Sequence, residues 1–252
     1  MYTVIDNGVK LNKEAVLSIS GGLDSTALLV HMLNKGYDKV HAVSFYYGQK
    51  NEIELRRLET NLSYLKTHKF DVTHTTMNLA SFMGKFNSSL TSDGVYVPTG
   101  KTDENKMKTN FVPNRNAIFS SLIYGYAVSL AKETDVYVDI GLGVHDGTHT
   151  IPPDCTRRFF DKLESAFKEG NVESEKINYY LPYVDGYKDK IVTDVCECCS
   201  SLGLSIETIF RNTLSCYNPN EDGDSCGECG ACNDRILAFE KADGINDSIK
   251  YI

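Results

Sequence analysis

The segment Ser18-Ile19-Ser20-Gly21-Gly22-Leu23-Asp24-Ser25-Thr26 constrains this chain more than any other feature. It joins a short apolar run, Ala15-Val16-Leu17-Ser18-Ile19, to a helical pattern over Ser25 to Leu33. Adjacent glycines at a strand–helix junction let the backbone approach a phosphate closely and take positive φ values. N–H groups at the start of the following helix complete an anion site. The hydroxyls of Ser20 and Ser25 are placed to donate to phosphate oxygens. Asp24 would repel a phosphate unless a cation lies between them, which points to Mg²⁺. No Gly-Lys-Ser or Gly-Lys-Thr follows, so this is not a Walker A loop. The plain alternative is a turn in which Asp24 or Ser25 caps a helix and nothing is bound.

The same alternation continues beyond the loop. Lys39 to Phe45 reads as a second strand. Glu52 to Leu65 reads as a helix with apolar residues at Ile53, Leu55, Leu58, Leu62 and Leu65. Phe70 to Thr75 and Val136 to Ile140 read as further strands, and Ala117 to Ala131 as a further helix. Strands alternating with helices predict an α/β fold with a doubly wound parallel sheet covered on both faces. Ligands in such a sheet sit beyond the carboxyl ends of the strands. The polar stretch from Thr76 to Asn110 has weak periodicity, and a loop that long in a compact domain is usually functional. We expect residues 1–180 to form the α/β unit and residues 181–252 a helical region with a cysteine knuckle.

Composition narrows the partners. With 252 residues and a formal net charge of -8, the chain repels polyphosphate backbones, so nucleic acid is not an expected partner. The apolar stretch Ala117 to Ala131 is interrupted by Ser120, Ser121, Gly125 and Ser129, so no membrane span is expected. The first residues, Met1-Tyr2-Thr3-Val4-Ile5-Asp6, lack a basic flank and an apolar signal core, so a cytoplasmic location is expected. In a reducing compartment, spaced cysteines suggest metal rather than disulfides.

Cys216, Cys226, Cys229 and Cys232 supply that spacing. Gly227 and Gly230 relieve the crowding of cysteines only two residues apart. Four thiolates suit tetrahedral Zn²⁺ in a closed, structural site, and an iron–sulfur cluster uses similar spacings. The remaining cysteines read differently. Ile191, Val195, Cys198 and Leu202 form a helical stripe, which makes Cys198 core; Cys196 and Cys199 flank it, and a redox pair there is the alternative.

Further segments bring in a family. Phe111-Val112-Pro113-Asn114-Arg115-Asn116, Tyr47-Gly48-Gln49, Pro153-Asp154-Cys155 and Leu214-Ser215-Cys216-Tyr217-Asn218 with the following cysteines and Arg235 occur in order. Together with the Ser20–Ser25 loop they resemble the motifs of the 7-cyano-7-deazaguanine synthase family of the ATP-pyrophosphatase superfamily. The resemblance implies an adenine nucleotide alpha hydrolase-like sheet with a small zinc-bearing helical region, and a homodimer. It implies cleavage of ATP to AMP and pyrophosphate, with 7-carboxy-7-deazaguanine adenylated and then converted by ammonia to the nitrile. The nucleotide contacts would come from Ser20, Gly21, Gly22, Leu23, Asp24, Ser25, Thr26, Tyr47, Gln49 and Arg115. Asp24, Arg115 and Lys188 would serve catalysis. Phe111, Asn116, Thr148, His149 and Asp154 would meet the deazaguanine, with Asp154 facing either Mg²⁺ or the edge of the base. His145 and His149 read as ordinary polar loop residues, with proton transfer or metal binding as the alternative.

The sequence departs from the family pattern at Tyr46 (usually Asp), Asn114 (usually Gly), Lys190 (usually acidic) and the run Thr148-His149-Thr150-Ile151-Pro152. These positions are expected around the pocket. They motivate a second reading, in which a relative stops at the amide or couples the activated carboxylate to another amine, including one on a protein.

Overall fold

The computed structural model describes residues 4–6, 9–11, 13–92, 95–145, 151–242 and 244–252. A short antiparallel hairpin, β1 (Val4–Asp6) and β2 (Val9–Leu11), precedes the main sheet. The sheet begins with β3 (Lys13–Ser18), followed by α1 (Leu23–Lys35), β4 (Lys39–Tyr46), α2 (Ile53–Thr67) and β5 (Val72–Asn78). The segment expected to be one long polar loop carries two short helices, α3 (Ala80–Met83) and α4 (Glu104–Asn110). Then come α5 (Arg115–Thr134), β6 (Tyr137–Gly141), a 3-10 turn (Pro153–Cys155), α6 (Arg157–Gly170) and β7 (Ile177–Tyr180). The chain ends with α7 (Lys188–Leu202), α8 (Ile206–Arg211) and α9 (Gly230–Lys241).

The strand order is β5-β4-β3-β6-β7, and every neighbouring pair is parallel. Successive strands run outwards from β3 to β5, and then on its other side through β6 to β7. The order therefore reverses between β3 and β6, where a doubly wound sheet opens its ligand crevice. The β7 strand is an addition to the strands read from sequence.

Side-chain alternation divides the interior. In β3, Val16 packs into one core while Ala15 and Leu17 pack into the other. In β4, Val43 and Phe45 share the first core, and Val40 and Ala42 the second. The first core lies under α5 and α6 and includes Phe119, Tyr124 and Phe160; the second lies under α1 and α7 and includes Leu28, Met32, Ile191 and Val195. Both faces of β3 are dry, as its uninterrupted apolar run requires. Met32 presses on the sheet so closely that a Cβ at Gly141 would stand 2.6 Å from its Cε.

The stripe on α7 is as expected: Ile191, Val195 and Cys198 are buried. Cys199, expected beside the stripe, is buried as well and belongs to the same core. Beside that stripe Asp194 accepts from Tyr183 (2.5 Å) and bonds His31 of α1 (2.9 Å), whose other ring nitrogen meets the Tyr180 hydroxyl at 2.7 Å. Among the described residues, no helix is long and apolar enough to cross a membrane.

Candidate active site

The loop after β3 is held from several sides. Ile19 N donates to Val43 O at 2.9 Å, and the Ser44 hydroxyl donates to Ile19 O at 2.8 Å. Ser20 and Ser25 face each other, their hydroxyl oxygens 3.3 Å apart. Leu214 N donates to Gly21 O at 3.0 Å, and Leu23 N donates to the Ser215 hydroxyl at 3.3 Å. Gly21 has φ +97°, and a Cβ there would stand 2.2 Å from the backbone oxygen of Glu54. Glycine is required by both the conformation and the contact.

Asp24 opens α1 and points toward α7. Its Oδ2 lies 2.8 Å from Lys188 Nζ and 3.6 Å from His145 Nε2. Burial would raise its pKa, but the charges of Lys188 and His145 outweigh burial and hold the carboxyl below the usual carboxylate range. Its Oδ1 is buried without a hydrogen-bond partner. An ionised oxygen with no donor is a fitting ligand for a hard cation, so the residues present suit Mg²⁺. Segment 142–145 passes tightly over this corner; a Cβ at Gly143 would stand 2.9 Å from Ser25 N. His145 thus sits at the phosphate loop rather than on a bland loop.

Arg115 starts α5 and donates to the Tyr47 hydroxyl at 3.3 Å. Its guanidinium carbon is 5.9 Å from the centre of the Tyr47 ring. The preceding Asn114 has φ +58°. Asparagine is among the side-chain-bearing residues that best tolerate the left-handed region, which glycine, the residue of the family pattern, also takes readily. Asn116 Nδ2 donates to Asp154 O at 3.2 Å, which ties α5 to the 3-10 turn. Burial pushes the Asp154 carboxyl up against the opposing pull of Arg115. Burial and the neighbouring Asp154 push the Cys155 thiol up to about 12, which keeps it protonated and a poor nucleophile.

These groups line one cavity of about 400 Å³ at the carboxyl ends of β3, β4 and β6. Ser20, Gly22, Asp24, Ser25, Tyr47, Gln49, Phe111, Arg115, Asn116, Asp154 and Lys188 are on its wall. Gly21, Leu23 and Thr26 are not: Gly21 packs on α2, and Leu23 and Thr26 are buried behind the loop. Tyr46 and Lys190, expected near the pocket, are not on the wall; Lys190 is exposed and the Tyr46 hydroxyl donates to Glu52 at 2.8 Å. Thr148 and His149 lie outside the described residues.

The wall also includes Glu54, Tyr217 and Asp234, which sequence reasoning did not single out. Burial raises the Glu54 carboxyl to about 8, against the pull of Arg115 and hydrogen bonds from Gln49 and Ser20. The signal for Tyr217 was its place beside Cys216. An acidic residue in the first turn of a helix, such as Glu54, is indistinguishable by sequence from one that merely complements the helix dipole.

The cysteine quartet converges beside this cavity. The sulfurs of Cys216, Cys226, Cys229 and Cys232 lie within 4.8 Å of one another. The Cys216–Cys226 and Cys226–Cys232 pairs are 3.5 and 3.9 Å apart. A tetrahedron with Zn–S bonds of about 2.3 Å has edges of about 3.8 Å, so the donor set fits zinc. Backbone N–H groups of Tyr217, Asn218, Cys226 and Cys229 point at the sulfurs, as thiolates require. The knuckle also grips its neighbours. Gly100 N donates to Glu228 O, Thr99 bridges Cys229, and Asn51 Nδ2 donates to Cys216 O at 2.8 Å.

Residues 14–243 match the model of a family described as queuosine biosynthesis protein QueC. The chain belongs to the QueC family. It is 34% identical to the 7-cyano-7-deazaguanine synthase of Pseudoalteromonas translucida, over 96% of this chain and 100% of that one. It is 34% identical to the Rickettsia akari protein of the same name, over 95% and 100%. The Caldicellulosiruptor saccharolyticus protein of that name is 35% identical over 94% and 95%. The QueC match spans the phosphate loop, the cavity and the cysteine quartet, the parts that the motifs in the sequence had pointed to.

Proposed function

We propose that this QueC-family chain uses ATP to activate the carboxylate of 7-carboxy-7-deazaguanine and reacts it with ammonia, giving 7-cyano-7-deazaguanine, AMP and pyrophosphate. The observation that carries the reading is the single cavity in which the phosphate loop faces Arg115, Lys188 and the Asp154 turn. The substrate carboxylate attacks the α-phosphorus of ATP, and the bond to the β-phosphate oxygen breaks. The loop N–H groups and the Ser20 and Ser25 hydroxyls hold the departing pyrophosphate, and Arg115 offsets the charge that gathers at the α-phosphate. Lys188 fixes Asp24, whose Oδ1 would hold Mg²⁺. Bound there, the cation would neutralise phosphate charge. Asp154 and Asn116 present an acceptor and donors to the base, and Phe111 gives it an apolar face. Ammonia displaces AMP to give the amide. A second ATP activates the amide oxygen, and loss of AMP and protons leaves the nitrile. The quartet of cysteines holds zinc in a structural role.

Incubation of the protein with 7-carboxy-7-deazaguanine, ATP, Mg²⁺ and ammonium, with products identified by mass, tests this. Nitrile, AMP and pyrophosphate are expected. ADP and orthophosphate as the main products refute the reading. Amide alone, or product only with another amine, selects the second reading that the unusual run from Thr148 to Pro152 suggests.

A further inference from the structure

The carbonyl of Ile19 is the last anchored point before the phosphate loop. It takes its hydrogen bond from a side chain, the Ser44 hydroxyl of β4, at 2.8 Å. Ile19 and Ser44 are both buried. The peptide that carries Ile19 O also carries the N–H of Ser20, and in a trans peptide the two point in opposite directions. Holding Ile19 O against β4 therefore turns the Ser20 N–H away from β4 and into the loop. There it meets the Ser25 hydroxyl at 3.2 Å, next to the Ser20 hydroxyl.

Ser44 has a second neighbour. His74 of β5 pairs with Ala42, two residues before Ser44, so both side chains lie on one face of the sheet. Its Nε2 stands 2.8 Å from Ser44 Oγ. A serine hydroxyl has one proton, and a neutral imidazole carries one on either nitrogen. Where Nε2 is bare, the serine proton can serve His74 or Ile19 O but not both. Where Nε2 carries the proton, the ring donates to Oγ and the serine proton goes to Ile19 O. Only this second arrangement makes both bonds at once. Burial lowers the His74 pKa, against the charge of Glu59 on α2, so the ring is neutral near pH 7 and the place of its single proton matters.

We propose that His74, with its proton on Nε2, is a positioning residue for the ATP reaction: it directs the Ser44 proton to Ile19 O and so aims the Ser20 N–H at the phosphates. Ile19 and Ser20 are on the cavity wall, whereas Ser44 and His74 stand behind it. The histidine therefore acts through the serine and the peptide and does not touch the nucleotide. The inference rests on the adenylation reading above.

In the wild-type protein carrying ¹⁵N-labelled histidine, ring-nitrogen NMR reads the tautomer directly, with His74→Gln identifying the His74 signals. A proton on Nε2 is expected, and a bare Nε2 overturns the proposal whether or not any variant folds. ATP–pyrophosphate exchange with 7-carboxy-7-deazaguanine then reads the consequence. His74→Leu fills the space without a donor. It should lower kcat/KM for ATP by about 10–100-fold, the effect of misaiming one hydrogen bond to a charged group, while the KM for the carboxylate stays near that of the wild type. His74→Gln sets an amide N–H close to where Nε2 stood and should restore most of the rate. Ser44→Ala should resemble His74→Leu, and the double variant should lose no more than Ser44→Ala alone, because the histidine then has nothing to act through. A leucine variant as active as the glutamine one reduces His74 to packing and overturns the proposal, as do losses that multiply in the double variant. Absence of exchange in the wild type refutes the adenylation reading, while the ring nitrogens still decide what holds Ile19.

Discussion

Replacing Lys188 by Met removes a charge from a buried position while keeping most of the stem. Lys188 is 5% exposed and its Nζ sits 2.8 Å from Asp24 Oδ2. At that separation the Coulomb attraction is about 6 kcal/mol for an effective dielectric near 20, from which the desolvation of both ions must be subtracted. Breaking one side of a buried pair typically costs about 3–5 kcal/mol. The lower end applies here, about 3 kcal/mol, because the Asp24 side chain keeps 22% exposure and His145 remains beside it. Asp24→Asn should cost a similar amount, since it leaves a buried ammonium unpaired. The double variant should cost much less than the sum, with a coupling of at least about 2 kcal/mol. Urea unfolding at constant m-value measures all three. The sign with pH is fixed as well. The Asp24 carboxyl is held below its unfolded value, so the pair stabilises the fold above that value and the stabilisation is lost as pH falls through the lower folded one. Without Lys188 the Asp24 carboxyl loses the larger of the two charges that lower it and binds a proton at higher pH than in the wild type, so the penalty of Lys188→Met should shrink on acidification. Additivity within about 0.5 kcal/mol, or a penalty that is flat between neutral and acidic pH, refutes the assignment of this pair.

Gly21→Ala should destabilise by at least about 2 kcal/mol and abolish ATP–pyrophosphate exchange, because its φ is positive and the new Cβ meets backbone rather than side chain. Gly230→Ala is the control: its Cβ would stand 2.3 Å from Thr102 Oγ1, a side-chain atom that can rotate away, so thermal melting should show a milder loss. Cys229→Ser should release zinc and lower the melting temperature, whereas Cys198→Ser should leave metal content unchanged. Equal metal loss in the two variants contradicts the division of the cysteines.

The inner strands β3, β4 and β6 were readable because they are buried on both faces and therefore appear as apolar runs between helical patterns. β7 was missed for a physical reason. Ile177-Asn178-Tyr179-Tyr180 is a short edge strand, and only Ile177 is fully buried. The phosphate loop and the four metal-site cysteines carry local spacing, which a sequence displays directly. The approach of His145 to Asp24 does not, since it depends on Gly143 letting segment 142–145 cross the start of α1. The same limit applies to Glu54, whose place on the cavity wall appears only once the chain is folded. Asn114 shows the converse: a change of residue that looks disruptive in sequence falls at a left-handed position that asparagine tolerates.

The knuckle has a consequence for how this protein depends on its surroundings. Its cysteine backbone fastens residues 99–100 on one side, and on the other Leu214 and Ser215, just ahead of Cys216, hold Gly21 and Leu23. Losing the metal should thus slacken the nucleotide grip and the wall of the cavity together, while the dry sheet stays folded. If the quartet holds zinc as proposed, turnover would fail first under zinc scarcity and the protein itself would persist. Cells short of the trace element would carry a stock of intact but idle chains, restored by the ion without new synthesis.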